Sequence, residues 1–185
     1  MVDQSSDSRD NPGPDEIPQP EAIELPVRNS ALVIVDMQND FVQATGKIYT
    51  GSMVNATVPR IRELLDRARQ AQMKVIHTQS WYERDDPRFT DHAKARFYKG
   101  GCMAGTWGAE LINELKPLDK EPVVRKASYD CWYGTNMELV LKAMKFGEFE
   151  PGSVHRNRER NNFNVVITGT VSNVCVEKAV IGFYL

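Results

Sequence analysis

The 185-residue chain is long enough for one domain with a sizeable core. A hydrophobic content of 41% and a charged content of 26% are typical of globular proteins, and a net charge of -2 argues against a general nucleic-acid or anionic-membrane binder. The chain has no apolar run that would span a bilayer, and its polar, acidic start is unlike a secretory signal. Three cysteines without CxxC spacing predict free thiols in a reducing cytoplasm.

The first 27 residues differ in composition from the rest of the chain. They are rich in Asp, Glu and Ser and hold half of the ten prolines. Such a segment buries too little apolar surface to offset its ordering entropy, so residues 1–27 are expected to form a disordered tail. The alternative is an arm that lies over a neighbouring subunit. One folded domain is expected over residues 28–185.

Predicted strands and helices alternate after this tail. Ala31–Val35 is a continuous apolar run typical of a buried parallel strand. Apolar residues recur at helical spacing from Val58 to Ala68, and Pro59 places the start of that helix close before it, because proline is tolerated in the first turn. Further strands are predicted at 74–79, at 122–126 and from 165, and further helices at 108–115, at 136–145 and from 176 to 185.

This alternation predicts an α/β fold. The expected architecture has three layers, α/β/α, around a central, mainly parallel sheet of the Rossmann-like type with right-handed crossovers. Two segments interrupt it. Residues 81–108 are aromatic and Gly-rich, which indicates a loop that forms a pocket or contacts another subunit. Residues 146–164 include a basic run that is interpreted as a solvated loop, with an anion contact as the alternative.

A cysteine follows the last predicted strand. Cys175 comes after a Gly-containing turn, where a helical pattern begins. Free backbone N–H groups and the positive end of a helix dipole at this position would favour a thiolate. The alternative is a small apolar residue buried at a strand–helix junction.

Three chemically complementary residues each come at the carboxyl end of a predicted parallel strand. These are Asp36, Lys126 and Cys175, and ligands of open α/β sheets bind at that edge. They supply a nucleophile, a carboxylate that can take its proton, and a cation that stabilises the charged partners. Each residue alone is unspecific, because an Asp after a strand often caps a helix and a Lys there is usually solvated. Together they favour a catalytic cleft.

Three segments carry a resemblance to a known family. They are Ala31–Phe41 (ALVIVDMQNDF), Pro122–Lys126 with Tyr133-Gly134-Thr135, and Val165–Glu177 (VVITGTVSNVCVE). In this order they resemble the isochorismatase-like cysteine hydrolases, over residues 30–185. The segment Gly105–Leu111 and the aromatic loop near residue 130 resemble the ureidoacrylate and carbamoyl-amide amidohydrolase branch.

The resemblance implies a Cys-Asp-Lys triad with Cys175 as nucleophile, Asp36 as general base and Lys126 beside them. It also implies a cis peptide bond between Thr170 and Val171, so that the N–H groups of Val171 and Cys175 form an oxyanion hole. The implied reaction is hydrolysis of a small amide or ureido C–N bond through a thioester. The alternative is a catalytically impaired member that acts as a binding or scaffold protein. Candidate substrate-pocket residues are Gln38, Phe41, Trp81, Tyr129, Trp132 and Tyr133.

The sequence also departs from parts of the family. Ser80, Trp81 and Tyr82 stand where the nicotinamidase branch carries a metal site, so neither a metal nor another cofactor is expected. The presence of Cys175 argues against the isochorismate-cleaving branch, which replaces the cysteine. The family continues past this cysteine into at least one more strand and helix, which the expected domain lacks. A cytoplasmic homo-oligomer, dimer or tetramer, is expected, with a small-molecule substrate and no nucleic-acid or membrane partner.

Overall fold

The computed structural model describes residues 22–86, 100–144 and 163–184. Four parallel strands, in the spatial order β3-β2-β1-β4, form the sheet: β1 Ser30–Val35, β2 Lys74–Ser80, β3 Val123–Lys126 and β4 Asn164–Gly169. The helices are α1 Asn39–Val42, α2 Ser52–Gln70, α3 Met137–Ala143 and α4 Glu177–Tyr184. Within the described residues, no helix is long and apolar enough to cross a membrane.

Three of the sequence predictions fall wholly or partly outside the described residues. The tail at 1–27 is described only from residue 22, and the loop at 81–108 only at its two ends. The polar segment at 146–164 is described only from residue 163. The predicted disorder of the tail and the predicted solvation of the basic run therefore stay predictions.

Apolar side chains cover both faces of the sheet. On one face Ile34 packs in a buried cluster that includes Leu65 of α2. On the other face Val33 packs in a second cluster with Leu141 of α3 and Ala179 of α4. Every residue of β1 is buried, as its continuous apolar run predicts for a central strand. The predicted three-layer α/β/α fold with a parallel sheet is confirmed.

The start predicted for α2 is wrong. The helix begins at Ser52, about two turns before Pro59, so the proline lies in its interior. Proline there removes the hydrogen bond to the carbonyl four residues earlier, that of Asn55. Both residues are on the exposed side of the helix, where water can bind that carbonyl. Pro59 is therefore tolerated inside the helix because it lies on the exposed side.

The helix predicted at 108–115 is also wrong. The segment forms two short 3-10 turns, Trp107–Ala109 and Asn113–Leu115, separated by extended backbone. Its backbone groups bind a different part of the chain: the Ile112 N–H donates to the Met37 carbonyl at 2.9 Å, and the Glu110 carbonyl accepts from the Asn39 N–H at 2.9 Å. Because these hydrogen bonds replace those of a helix, tertiary contacts override the local pattern.

The order in which strands are added to the sheet switches from one side of β1 to the other. β2 and β3 lie on one side of β1, and β4 lies on the other. Gly169 ends β4 at a φ of 129°, and a Cβ atom there would overlap the backbone of Val35. The Thr170 N–H then donates to the Val35 carbonyl at 2.9 Å. This close approach brings the chain after β4 to the point between β1 and β4 where doubly wound sheets bind ligands.

A buried histidine lies on the face of the sheet that α2 covers. The Nε2 of His77 is 3.3 Å from Glu121 Oε2, and Arg69 of α2 binds both carboxylate oxygens of Glu121, at 2.8 and 2.7 Å. The His77 Nδ1 has no hydrogen-bond partner among the described residues. Burial lowers the pKa of His77 and outweighs the opposing effect of Glu121. Protonation would put a hydrogen on Nδ1, which has no acceptor among the described residues, so the neutral ring is favoured.

This histidine should make stability depend on pH. The unfolded histidine has a pKa of about 6.5 and the folded one a lower pKa, so the stabilisation is complete above 6.5 and is lost as the pH falls below it. We expect the free energy of unfolding to fall less steeply from about pH 7 to 5 in His77→Gln than in the wild type. Urea denaturation at several pH values measures both slopes. Equal slopes for His77→Gln and the wild type would contradict this expectation.

Candidate active site

The carboxyl ends of the strands bring four polar side chains together. Asp36 directly follows β1, Ser80 ends β2, Lys126 ends β3, and Cys175 comes shortly after β4. Asp36 has a φ of 50°, a left-handed conformation that Asp tolerates better than most residues. This conformation ends β1 and leaves the Asp36 carboxylate over the sheet edge. The three residues predicted to converge therefore do so.

Asp36 and Lys126 form a buried ion pair. The Lys126 Nζ is 2.7 Å from Asp36 Oδ2, and both side chains are fully buried. The ammonium also donates to the carbonyl of Ser128 at 3.0 Å and to the Oγ of Ser80 at 3.2 Å. Burial opposes the charge on Lys126, but the negative charge of Asp36 and its hydrogen bond to the ammonium outweigh it and raise the pKa of Lys126. The lysine is therefore a cation at neutral pH.

Cys175 lies in a π-helical turn, Ser172–Val176, that leads into α4. The N–H of Val176 donates to the carbonyl of Val171 at 3.2 Å, the wider spacing of a π-helix. The peptide bond between Thr170 and Val171, just before the turn, is cis. The turn places the thiol against the ion pair: Cys175 Sγ is 3.5 Å from Lys126 Nζ, which is itself 2.7 Å from Asp36 Oδ2.

The thiol of Cys175 is protonated in the resting site. Burial raises its pKa to about 12, the negative charge of Asp36 adds to the effect, and Lys126 opposes it. The expectation that a helix start would favour the thiolate is therefore wrong for this state, because desolvation and the nearby carboxylate outweigh the favourable dipole. A thiol must lose its proton to act as a nucleophile, and the Asp36 carboxylate beside Lys126 is a base that can accept one.

The other two cysteines, Cys102 and Cys131, are also buried. Burial raises the pKa of Cys131 to about 12 and also raises the pKa of Cys102. All three cysteines are free thiols, as predicted. In the described part of the chain, no group of three or more His, Cys, Asp or Glu side chains is placed to hold a metal ion.

The polar residues that follow Asp36 bind the backbone of the segment at 100–110. Gln38 Nε2 donates to the carbonyls of Ala109 at 2.7 Å and Ser80 at 2.8 Å. Asn39 Nδ2 donates to the Trp107 carbonyl at 2.8 Å, and Asp40 Oδ2 accepts from the Cys102 N–H at 2.7 Å. These bonds attach residues 102–109 to the edge of the sheet beside Asp36. Gln38, predicted as a pocket residue, is fully buried in this network.

The other predicted pocket residues occupy different environments. Phe41 is buried in the core cluster that contains α2 residues, and Tyr129 packs against both core clusters. Trp81 lies under the Arg125 guanidinium, 3.9 Å from ring centroid to Cζ. Tyr133 is 64% exposed. A contact with substrate stays a prediction for each of them.

Trp132 connects the loop after β3 with the helix after Cys175. Its ring makes an edge-to-face contact with Phe183, with centroids 4.9 Å apart. A Cβ atom at Gly182 would overlap the indole, so the tryptophan lies directly on the backbone of α4. Trp132 therefore has a packing role in the fold. Its contact with a substrate stays a prediction.

Sequence reasoning missed two hydroxyl groups in the site. Thr78 Oγ1 donates to Asp36 Oδ1 at 2.7 Å, and Ser80 Oγ donates to Asp36 Oδ2 at 3.1 Å. From the sequence, Ser80 is interpreted only as one of the residues that stand where the nicotinamidase branch has a metal site. The two-residue spacing of the hydroxyls in β2 indicates that they share one face of the strand, but only the register of β2 against β1 places that face beside Asp36.

A family model for the isochorismatase domain matches residues 30–184. The chain belongs to the isochorismatase family. It is 27% identical over 180 residues to the ureidoacrylate amidohydrolase RutB of Agrobacterium fabrum, across 87% of this chain and 72% of that protein. It is thus an isochorismatase-family hydrolase, and the resemblance seen in its motifs is confirmed.

Solved structures of the family share its fold. N-carbamoylsarcosine amidase from Thermoplasma acidophilum is 26% identical, with a TM-score of 0.64 across 83% of this chain and 75% of that one. An isochorismatase-like hydrolase from Alkaliphilus metalliredigens, 24% identical, has a TM-score of 0.66 across 83% of this chain and 74% of that one. The parallel sheet with helices on both faces is therefore a shared architecture.

Removal of the lysine should strongly destabilise the fold. Lys126→Ala leaves the buried Asp36 carboxylate without its cation, and breaking a buried ion pair from one side costs about 3–5 kcal/mol. We expect a loss of this size in the free energy of unfolding measured with urea. Arg125→Ala is the matched control, because Arg125 is exposed on the opposite side of the same strand and should cost about 1 kcal/mol or less. Similar losses in the two variants would refute a stabilising ion pair.

The alkylation rate of Cys175 should report its protonation state. Because the thiolate is the reactive form and the pKa is about 12, the rate with iodoacetamide should rise about tenfold per pH unit from about pH 7 to 10. Mass spectrometry of the peptide that contains Cys175 gives this rate in the enzyme without substrate. A plateau that begins below about pH 9 would show that the pKa of Cys175 lies far below 12 and that Lys126 outweighs burial and Asp36.

Proposed function

We propose that the protein is a cysteine hydrolase that cleaves the C–N bond of a small amide, ureido or carbamoyl compound. The observation that carries this proposal is the contact of one thiol with a buried ion pair: Cys175 Sγ is 3.5 Å from Lys126 Nζ, and Lys126 Nζ is 2.7 Å from Asp36 Oδ2. The names of two relatives, a ureidoacrylate amidohydrolase and an N-carbamoylsarcosine amidase, support the substrate class.

In the first half of the proposed reaction, Cys175 Sγ attacks the substrate carbonyl carbon as its proton passes to Asp36. Lys126 stays protonated and stabilises the negative charge that moves between the carboxylate and the sulfur. The N–H groups of Val171 and Cys175 donate to the oxyanion of the tetrahedral intermediate. Asp36 then gives the proton to the leaving nitrogen, the C–N bond breaks, and a thioester on Cys175 remains.

In the second half, water hydrolyses the thioester. Asp36 accepts a proton from the water as its oxygen attacks the thioester carbonyl. The C–S bond breaks, the acid product leaves, and the proton returns to the sulfur. In comparable sites, loss of one oxyanion donor lowers kcat by about 10²–10³. The turn before Cys175 is therefore as important to this proposal as the thiol.

A panel of small amides, ureides and carbamates tests the proposal. We expect hydrolysis of at least one class by the wild type and a loss of at least about a thousandfold in Cys175→Ala, because no other group on the site replaces the nucleophile. Release of ammonia or amine gives the rate, and circular dichroism with thermal unfolding checks that the variant is folded. Trapping of a thioester on Cys175 by acid quench and mass spectrometry would identify the intermediate.

Cys131→Ala is the matched control, because Cys131 is another buried free thiol in the same core cluster. It should keep the wild-type kcat. Hydrolysis that survives in Cys175→Ala would refute the proposed nucleophile. A folded wild type that turns over no member of the panel would instead favour a family member that acts by binding.

A further inference from the structure

We propose that Thr78 and Ser80 are positioning residues of this site: their hydroxyl groups hold the Asp36 carboxylate in the orientation in which it takes the proton of Cys175. The inference rests on the proposed function. It adds to the triad a pair of uncharged groups from β2, and neither of them would contact the substrate.

Each oxygen of the Asp36 carboxylate has its own hydroxyl donor. Thr78 Oγ1 donates to Oδ1 at 2.7 Å, and Ser80 Oγ donates to Oδ2 at 3.1 Å. Oδ2 also contacts Lys126 Nζ at 2.7 Å. The lysine alone would hold one oxygen and leave the carboxylate able to rotate about that contact. A donor on the other oxygen prevents this rotation and fixes the plane of the group.

Ser80 also fixes the cation. Its Oγ accepts from Lys126 Nζ at 3.2 Å while it donates to Asp36, so one hydroxyl bridges both members of the ion pair. The serine is itself held on both sides, because its N–H donates to Gln38 Oε1 and its carbonyl accepts from Gln38 Nε2, each at 2.8 Å. The bridge therefore sits on rigid backbone, and it keeps Lys126 Nζ at its 3.5 Å distance from Cys175 Sγ.

The position of both hydroxyls follows from strand geometry. Residues two apart in β2 point to the same face, and Thr78 pairs with Val35, the residue before Asp36. Both side chains are fully buried, so water does not compete for these hydrogen bonds. Catalytic groups must be held to within fractions of an ångström, and misplacement by about 1 Å can cost about a hundredfold in rate. A rigid pair of donors meets this need.

A purely structural role is the competing explanation, since any buried hydroxyl needs a hydrogen-bond partner. Thr78 offers a matched pair of variants that separates the two. Thr78→Val removes the hydroxyl and keeps the side-chain volume, whereas Thr78→Ser keeps the hydroxyl and removes a methyl group. Activity that is lost in Thr78→Val and kept in Thr78→Ser supports a positioning role. Activity that is lost in Thr78→Ser and kept in Thr78→Val supports a packing role.

The decisive experiment compares these variants in two assays. In steady-state hydrolysis we expect Thr78→Val to lower kcat by about tenfold to a hundredfold with KM within about twofold of wild type, and Thr78→Ser to keep kcat within about threefold. In the substrate-free enzyme, alkylation of Cys175 by iodoacetamide should slow in Thr78→Val and not in Thr78→Ser. Wild-type behaviour of Thr78→Val in both assays, or equal losses in the two variants, would overturn the inference.

Ser80→Ala tests the bridge in the same way. It should lower kcat and slow the alkylation of Cys175, with KM little changed. Ser30→Ala is its matched control, because Ser30 is a fully buried serine at the opposite end of the sheet, where its hydroxyl donates to the Pro26 carbonyl. Equal kcat values in Ser80→Ala and Ser30→Ala would overturn the role of Ser80.

The two proposals fail in distinguishable ways. If the wild type hydrolyses a substrate and Cys175→Ala does not, the proposed function stands, and wild-type rates in Thr78→Val and Ser80→Ala then refute only the positioning role. If no substrate is turned over, the proposed function fails. The alkylation rates still decide whether the two hydroxyls control the reactivity of Cys175, because that assay needs no substrate.

Discussion

The ion pair between Asp36 and Lys126 is the interaction on which the rest of the site depends. Two opposite charges are held at 2.7 Å in the interior, where each alone would carry a large desolvation cost. Such a pair persists only if further hydrogen bonds complete its shell, and the structure supplies them from two hydroxyls of β2 and from the Ser128 carbonyl. Cys175 adds its thiol to this group, 3.5 Å from Lys126 Nζ. The thiol is therefore part of a structural network.

The ion pair is possible because the fold brings several segments to one point. Gly169 permits the close approach of β4 to β1, and the Asp36 backbone leaves β1 in a left-handed conformation. Gln38 then ties the residues after Asp36 to the end of β2 and to the segment that contains Ala109. Since the ends of β1, β2 and β4 and the segment that contains Ala109 meet here, the position of the Asp36 carboxylate is determined by the edge of the sheet as a whole.

The loop after Lys126 and the helix after Cys175 are also joined directly. Trp132 lies on the backbone of α4 at Gly182 and against the ring of Phe183. The same loop supplies the carbonyl that binds Lys126. The loop that follows Lys126 and the helix that follows Cys175 therefore pack on each other. This contact gives the aromatic residues of the loop a mechanical role beside any role in substrate binding.

The sequence by itself determined the order of the strands along the chain, the parallel three-layer fold and the convergence of Asp36, Lys126 and Cys175, because apolar periodicity and strand ends are local properties. Only the tertiary structure decided the rest. The helix expected at 108–115 is absent because its backbone bonds to residues near position 38. The resting Cys175 is a thiol because burial is a property of the folded site. The hydroxyl of Thr78 belongs to the site because the register of β2 against β1 places it beside Asp36, and no local pattern encodes that register.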